Sequence, residues 1–244
     1  MRSSLAGYLL FGLLFAVHAA EPLRIGLEGT YPPFSFYDDK GGLTGFEVEL
    51  AKSLAEHMGR RPEFVTARWD GLLASLDSGR FDVVMNMVTI TEERKKLYGF
   101  SAPYCYSGLQ LVVGKGSKVG GLADLPGKRV GVGLNSIHET WLRRHVPDAD
   151  IRTYDDDSTR NQDLLFGRLD AILNDRLAIA YLIQRYQGKL TTAGEPFDIQ
   201  DKAVAMRKDR AELRQEIDRA LTAMRADGSL SRISMAWFNL DVSQ

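Results

Sequence analysis

The stretch GRFDVVMN, residues 79–86, returns as GRLDAILN at residues 167–174. Both copies open on Gly-Arg, carry Asp at the fourth position and Asn at the eighth, and are apolar between. A short apolar run, entered through a Gly that closes a helical pattern, reads as a buried strand of a parallel sheet. Upstream of each copy stands a second matched pair, RIGLEGTY (24–31) before the first and RVGVGLNS (129–136) before the second. Helical patterns lie between the members of each pair. GFEVELAKSLAEHM has apolar residues at Phe46, Leu50, Leu54 and Met58, and RWDGLLASLDSG follows as a shorter helix ended by Gly79. IHETWLRRHV and TRNQDLLFG, the latter ended by Gly167, take the same places in the second half. Two matched pairs in one order predict a duplicated α/β lobe built on parallel sheets.

Ligands of open parallel sheets sit beyond the carboxyl ends of the strands. Those ends fall at residues 28–31 and 86–94 in the first half and at 133–138 and 174–175 in the second. Two such lobes facing each other line one cleft with these stretches. Asn86 and Met87 enter the candidate list from this placement, beside Thr89 and Arg94. Thr91, Glu92 and Glu93 make a helix start with acids in the first turn. A capping box asks for Glu or Gln three residues after the cap, whereas this chain places Arg94 there, against the helix dipole. Residue chemistry alone leaves Arg94 between two jobs, an exposed ion pair and a contact to an anion from solution.

The rest of the chain limits the ligand class. Its 244 residues carry a formal net charge of −1 and no basic run. That gives no footprint for nucleic acid or an anionic membrane, so the expected partner is small. Residues 1–20 carry one Arg, an apolar run from Tyr8 to Val17 and small residues at Ala19 and Ala20. This is the layout of a cleaved secretory signal peptide; the run is short for a spanning helix, and an uncleaved anchor is the alternative. Cys105 is the single cysteine, so no internal disulfide forms. Its apolar neighbours in APYCYSG point to a buried, inert thiol rather than a nucleophile with a positioned base. No Ser-His-Asp arrangement, phosphate loop or metal-ligand cluster is legible, and His57, His138 and His145 lack the spacing of a paired metal site. No catalytic residue, metal or cofactor is expected.

GLEGTYPPFSF, LTGFEVEL, WDGLLASLDS, VTITEERKK, FSAPY, VGVGL, RTYDDD and GRLDAIL together resemble the periplasmic substrate-binding proteins of polar amino-acid ABC importers. The longer strings are similar to the cystine-binding members in particular. The resemblance spans essentially the whole chain after residue 20, and ITxxR followed by FSxPY is its most specific part. It implies an α/β, two-lobed periplasmic-binding-protein fold of type II with two hinge strands and the ligand cleft between the lobes. The implied division is 1–20 signal peptide, 21–108 and 203–244 first lobe, and 109–202 second lobe. YSGLQLVV and KAVAMRK would be the crossings. It further implies that Arg94 grips the ligand α-carboxylate through a two-pronged pair, with the hydroxyl and N–H of Thr89 added. Asp175 would take the α-ammonium; its alternative is an N-cap for RLAIAYLIQRY. Tyr31 and Trp69 would flank the ligand side chain, with plain core packing as the alternative. Sulfur packs well on aromatic rings, which suits a disulfide held between two charged ends.

Cystine has two amino-acid ends, and that clamp holds one. Glu28, Asn135, Ser136 and His138 are the candidates for the other. The family pattern in the second lobe is a Gly followed by Ser or Thr, from which VGVGLNSIHE departs: Asn135 replaces the glycine and Ile137 a polar residue. His138 is alternatively a solvated first-turn residue. The expected function is capture of L-cystine, or a related polar amino acid, by a monomer in the periplasm through cleft closure. Delivery to a membrane ABC permease follows, with no bond broken and no insertion of the mature protein into the membrane. The alternative is a periplasmic cyclohexadienyl dehydratase on the same fold, with Glu28 or His138 as the nominated general acid. Asp175 speaks against it, because it repels a second substrate carboxylate. A membrane-integral sensor is the third reading, and no second apolar stretch of bilayer length supports it.

Overall fold

The repeated phrase builds the same lock in each half of the molecule. In the computed structural model, which describes residues 21–244, Arg24 donates to the Asp82 carboxylate from Nε and Nη2 at 3.2 and 2.9 Å and to Gly79 O at 3.0 Å. Arg129 repeats this with Asp170 at 3.0 and 2.8 Å and with Gly167 O at 3.0 Å. Gly79 and Gly167 both have φ near 70°, a left-handed turn that a side chain would strain. The resemblance of the two halves is therefore carried by contacts. The expected signal peptide lies outside the described residues.

The first lobe opens with β1 (Leu23–Leu27) and a small meander of β2 (Thr30–Tyr31), β3 (Ser35–Tyr37) and β4 (Leu43–Thr44). It continues through α1 (Phe46–His57), β5 (Pro62–Thr66), α2 (Trp69–Leu72), α3 (Ala74–Asp77), β6 (Val83–Val84), α4 (Glu92–Leu97) and β7 (Tyr98–Phe100). The second lobe holds β8 (Cys105–Gly114), β9 (Arg129–Gly133), α5 (Ile137–His145), β10 (Asp150–Tyr154), α6 (Asp157–Leu165), β11 (Ala171–Asp175), α7 (Arg176–Arg185) and β12 (Leu190–Lys202). The chain then returns to the first lobe as β13 (Ala205–Arg207), α8 (Ala211–Ala226) and α9 (Ser229–Phe238). The two sheets run β5-β1-β6-β13-β7 and β10-β9-β11-β8-β12. In each, the first three strands are parallel and the fourth is antiparallel.

The inner strands of both sheets are covered on both faces, which explains why β1, β6, β8, β9 and β11 are largely apolar without alternation. Val83 packs into a core with α1, α8 and α9, while its neighbour Val84 packs with Leu72 and Leu76 of α2 and α3 on the other face. Leu111 and Val112 divide in the same way between the core under α5 and the core under α6 and α7. The lobes touch beyond their crossings. Leu177 and Ala178 of α7 join the first-lobe core, and the Phe36 and Tyr181 rings lie 6.2 Å apart.

Two expected elements are shorter than their apolar patterns. The run FDVVMNMV is buried throughout most of its length, yet only Val83 and Val84 join the ladder. At Met87 the backbone turns to φ 51°, and its N–H donates to Oε1 of the buried Glu47 at 2.7 Å. A side-chain acceptor thus replaces a neighbouring strand. The helix expected over RWDGLLASLDSG is two short pieces; Ser75 Oγ donates back to Gly71 O at 2.8 Å, a bond that competes with regular helix.

Cys105 is fully buried, and burial pushes its thiol well above the usual range. Native protein is expected to resist iodoacetamide that labels the urea-unfolded chain to completion, with mass spectrometry as the readout. Rapid stoichiometric labelling of folded protein would contradict the packing described.

Candidate ligand-binding site

The carboxyl ends of β1 and β9, the chain after β6 and the end of β11 meet across one cavity. Glu28, Tyr31, Trp69, Asn86, Met87, Thr89 and Arg94 line it from the first lobe, and Ser136, Ile137, His138 and Asp175 from the second. Polar contacts cross the cleft from Tyr31 Oη to Asn174 Oδ1 (3.2 Å), from Trp69 Nε1 to Asn135 O (3.4 Å) and from Arg68 Nη2 to Asp155 Oδ2 (2.6 Å).

Arg94 is placed by a short helix start. Thr91 Oγ1 accepts from Arg94 N at 3.1 Å, so the arginine leaves the first turn of α4 toward the cavity. Its guanidinium donates to Thr89 O at 3.0 Å and lies 5.2 Å from the centre of the Trp69 ring. Among the described residues it has no carboxylate partner. Burial lowers its pKa to about 10, so it remains a cation at neutral pH. A desolvated cation without a counter-charge is costly, and the remedy open to it is an anion in the cavity. The surface ion pair allowed by the sequence does not form.

Thr89 stands opposite Lys202 as an isolated antiparallel bridge. Ile90 N donates to Asp201 O and Ala203 N to Val88 O, both at 3.0 Å. This is a non-hydrogen-bonded pairing, which leaves the Thr89 N–H outside the ladder. The Thr89 hydroxyl is engaged, donating to Gln200 Oε1 at 3.1 Å and accepting from Lys202 Nζ at 2.8 Å. Of its two groups, the N–H is the free donor.

Asp175 caps α7, one of the two jobs that the sequence set as alternatives for it, with a single oxygen. Oδ1 caps α7 by accepting from Leu177 N at 2.9 Å and also accepts from Ser107 Oγ at 2.7 Å. Oδ2 accepts no hydrogen bond although the residue is 1% exposed. Its nearest opposite charge is Lys202 Nζ at 3.5 Å, itself buried and shared with Thr89 and Gln200. A free carboxylate oxygen on one wall and an unpaired guanidinium on the other are the complement of an α-amino acid.

A second charged group surrounds Glu28. Asn86 grips it twice, accepting from Glu28 N at 2.9 Å and donating to Oε2 at 2.8 Å. Burial first, and the negative charge of Asp157 second, raise the Glu28 carboxyl to about 7, opposed by Asn86 and Arg160. Arg160 and Asp157, both on α6, line the same cavity.

Two sequence expectations need correction. Asn135 does not line this cavity: it adopts φ 57° at the turn into α5, its N–H donates to Glu139 Oε2 at 2.8 Å, and it borders a neighbouring groove instead. The cause is the start of α5, where Ser136 Oγ accepts from Glu139 N at 3.2 Å and the Glu139 carboxylate reaches back to the N–H of the residue before the cap. His138 is not solvated; it is buried, and burial together with the cations Lys202, Arg160 and Arg94 holds it well below its usual pKa, hence neutral. Sequence reasoning set Asn174 at the cleft without naming it as a contact, and passed over Lys202, Arg160 and Asp157. Asn174 was available from the repeat, since it is the counterpart of Asn86. Arg160 stands four residues before the buried Leu164, so it shares the core-facing stripe of α6. Lys202 carries no comparable signal.

A sequence model of the bacterial extracellular solute-binding proteins, family 3, matches residues 23–240. The chain is 50% identical over 235 residues to the L-cystine-binding protein TcyJ of Escherichia coli (strain K12), covering 96% of this chain and 88% of that protein. Among solved structures, an ancestral arginine-binding protein bound to arginine is similar with a TM-score of 0.85 and 40% identity, over 91% of this chain and 100% of that one. The ancestral amino acid-binding protein AncCDT-1, described as a precursor of cyclohexadienyl dehydratase, is similar with a TM-score of 0.84 and 35% identity, over 89% and 95%.

Proposed function

The chain belongs to the family 3 bacterial extracellular solute-binding proteins, and from that premise we propose that it captures L-cystine in the periplasm and passes it to a membrane permease. The observation that carries the reading is the pairing, across one cleft, of the counter-charge-free Arg94 guanidinium with the unbonded Oδ2 of Asp175. Arg94 and the Thr89 N–H take the α-carboxylate, and Asp175 takes the α-ammonium. Tyr31 and Trp69 supply apolar and aromatic walls for the disulfide, and Glu28 accepts from the second ammonium. The identity to an L-cystine-binding protein supports this choice among amino acids.

Capture is a shift between open and closed arrangements of the lobes. Arg94 and Asp175 belong to different lobes, so a zwitterion completes both contacts only when the cleft is shut, and it stabilises that state for this reason. The two crossings, before Cys105 and after Lys202, act as the hinge. The curated relative named above is a binding protein, and the function is binding rather than catalysis. Even the neighbour tied to a dehydratase is described as an amino acid-binding protein that preceded the enzyme.

Calorimetry of refolded, ligand-stripped protein tests the reading, with L-cystine, L-arginine, L-glutamine and prephenate as titrants. One-to-one saturation with L-cystine, tighter than with the others, is the expected result. Silence with cystine and saturation by another amino acid would remove cystine and leave the family. Sustained heat with prephenate would mean turnover.

The same titration carries a pH dependence. The Glu28 carboxyl, raised to about 7, must ionise to receive an ammonium, and the ammonium then favours the ionised form. Below pH 7 binding therefore costs a proton, and cystine affinity is expected to fall by about tenfold between pH 7.5 and 5.5. Glu28→Gln flattens that profile. A wild-type affinity that does not change over this range removes Glu28 from the contact.

A further inference from the structure

Arg160 is a deeply buried charge in the cleft that the amino-acid clamp does not use. It is 2% exposed, on α6, and it has no counterpart in the clamp of Arg94 and Asp175. The repeat explains how it fits. Gly131 corresponds to Gly26 and Gly133 to Glu28, so the second lobe lacks a side chain where the first carries a carboxylate. A Cβ on Gly131 would lie 3.0 Å from Arg160 Cγ, and one on Gly133 would lie 3.9 Å from Nη1. The stem of Arg160 runs over the first glycine, and its guanidinium comes up beside the second.

One prong of that guanidinium is held. Nη2 lies 2.9 Å from Asp157 Oδ2. Nε is buried and has no hydrogen-bond partner. A guanidinium presents five donors in a rigid fork, and an unmet buried donor is unfavourable. Arg160, Asp157 and Glu28 all line the cavity that Arg94 and Asp175 line. The cleft therefore contains two sets of opposite charge, each with a donor or acceptor still open.

We propose that Arg160 receives the second α-carboxylate of a ligand bearing two amino-acid ends, with Asp157 holding the guanidinium in place and Glu28 facing the accompanying ammonium. The inference rests on the cystine reading above and sharpens it: the site selects for a carboxylate at the far end of the ligand. An amino acid with only one carboxylate leaves Arg160 without its partner. The role is one of specificity, additional to the clamp on the first end.

A ligand–variant cycle isolates the contact. The mixed disulfide of L-cysteine and cysteamine is cystine without one carboxylate, and Arg160→Met keeps the stem while removing the fork. Wild-type protein is expected to bind the mixed disulfide about 50-fold more weakly than L-cystine, the range for truncating one partner of a buried charge pair. Arg160→Met is expected to bind both ligands alike, near the weaker affinity. If Arg160→Met separates the two ligands as well as wild type does, the carboxylate lies elsewhere and the proposal is overturned, while cystine binding stands. Equal binding of both ligands by wild-type protein overturns it without any variant, which covers a failure of Arg160→Met to fold. No binding of L-cystine by wild type would instead remove the reading beneath it.

Discussion

Calorimetric titration of L-cystine into Arg94→Met protein is expected to show affinity lower by about a thousandfold. The guanidinium is the one cation of the first amino-acid end without a protein counter-charge, so its two-pronged bond to a carboxylate has no substitute in the cleft. Lys202 is near but committed to Thr89, Gln200 and Asp175. The fold should not suffer. Methionine occupies similar volume against Trp69, and removal of a desolvated, unpaired charge costs no ion pair. The melting temperature is expected at or slightly above that of wild type. Near-normal affinity would exclude Arg94 as the carboxylate contact; collapse of the fold would show that its bond to Thr89 O organises the first lobe.

Asp175→Asn is expected to lose both binding and stability, and the two losses can be separated. The amide can still accept from Leu177 N and Ser107 Oγ, so the cap on α7 survives. The charge does not. Lys202, 2% exposed, is left as a buried ammonium without its acid, a defect worth about 3 kcal/mol. The missing acceptor for the ligand ammonium lowers affinity by about a hundredfold. Adding Lys202→Met removes the orphaned cation, so the double variant regains most of the thermal stability while binding stays weak. Recovery of binding together with stability would mean that Asp175 acts only through Lys202.

The architecture was readable because a repeat makes two weak patterns into one strong one. Residues 79–86 and 167–174 share the Gly, Arg and Asp positions, and those Gly and Asp positions close the same turn on Arg24 and Arg129. Spacing alone could carry that message. The site was legible where a residue broke a local rule, as Arg94 does at the start of α4. It was less legible where the controlling partner came from elsewhere in the chain. Met87 leaves the ladder because Glu47 takes its N–H across 40 residues of sequence. Asn135 turns aside because Glu139, one helical turn on, takes its N–H. Lys202 is a lysine at the end of a strand, a position that ordinarily means solvent, and only the facing Thr89 and Asp175 account for its burial. Asp175 shows a further limit: sequence posed capping and ligand contact as rivals, whereas a carboxylate has two oxygens, and the cap on α7 occupies Oδ1 and leaves Oδ2 without a hydrogen bond.

Cys105 pairs in register with Lys202, which places the single thiol directly behind the wall that carries Asp175 and Lys202. Exchange between a thiol and a disulfide requires a thiolate with access to sulfur. Cys105 offers neither, being sealed from solvent and held protonated by burial and by the negative charge of Asp175. A carrier of disulfides built this way cannot become covalently attached to its cargo or reduce it. On the function proposed above, the molecule would close on cystine many times and return it with the sulfur–sulfur bond intact, a redox-silent container with a thiol one layer from its contents.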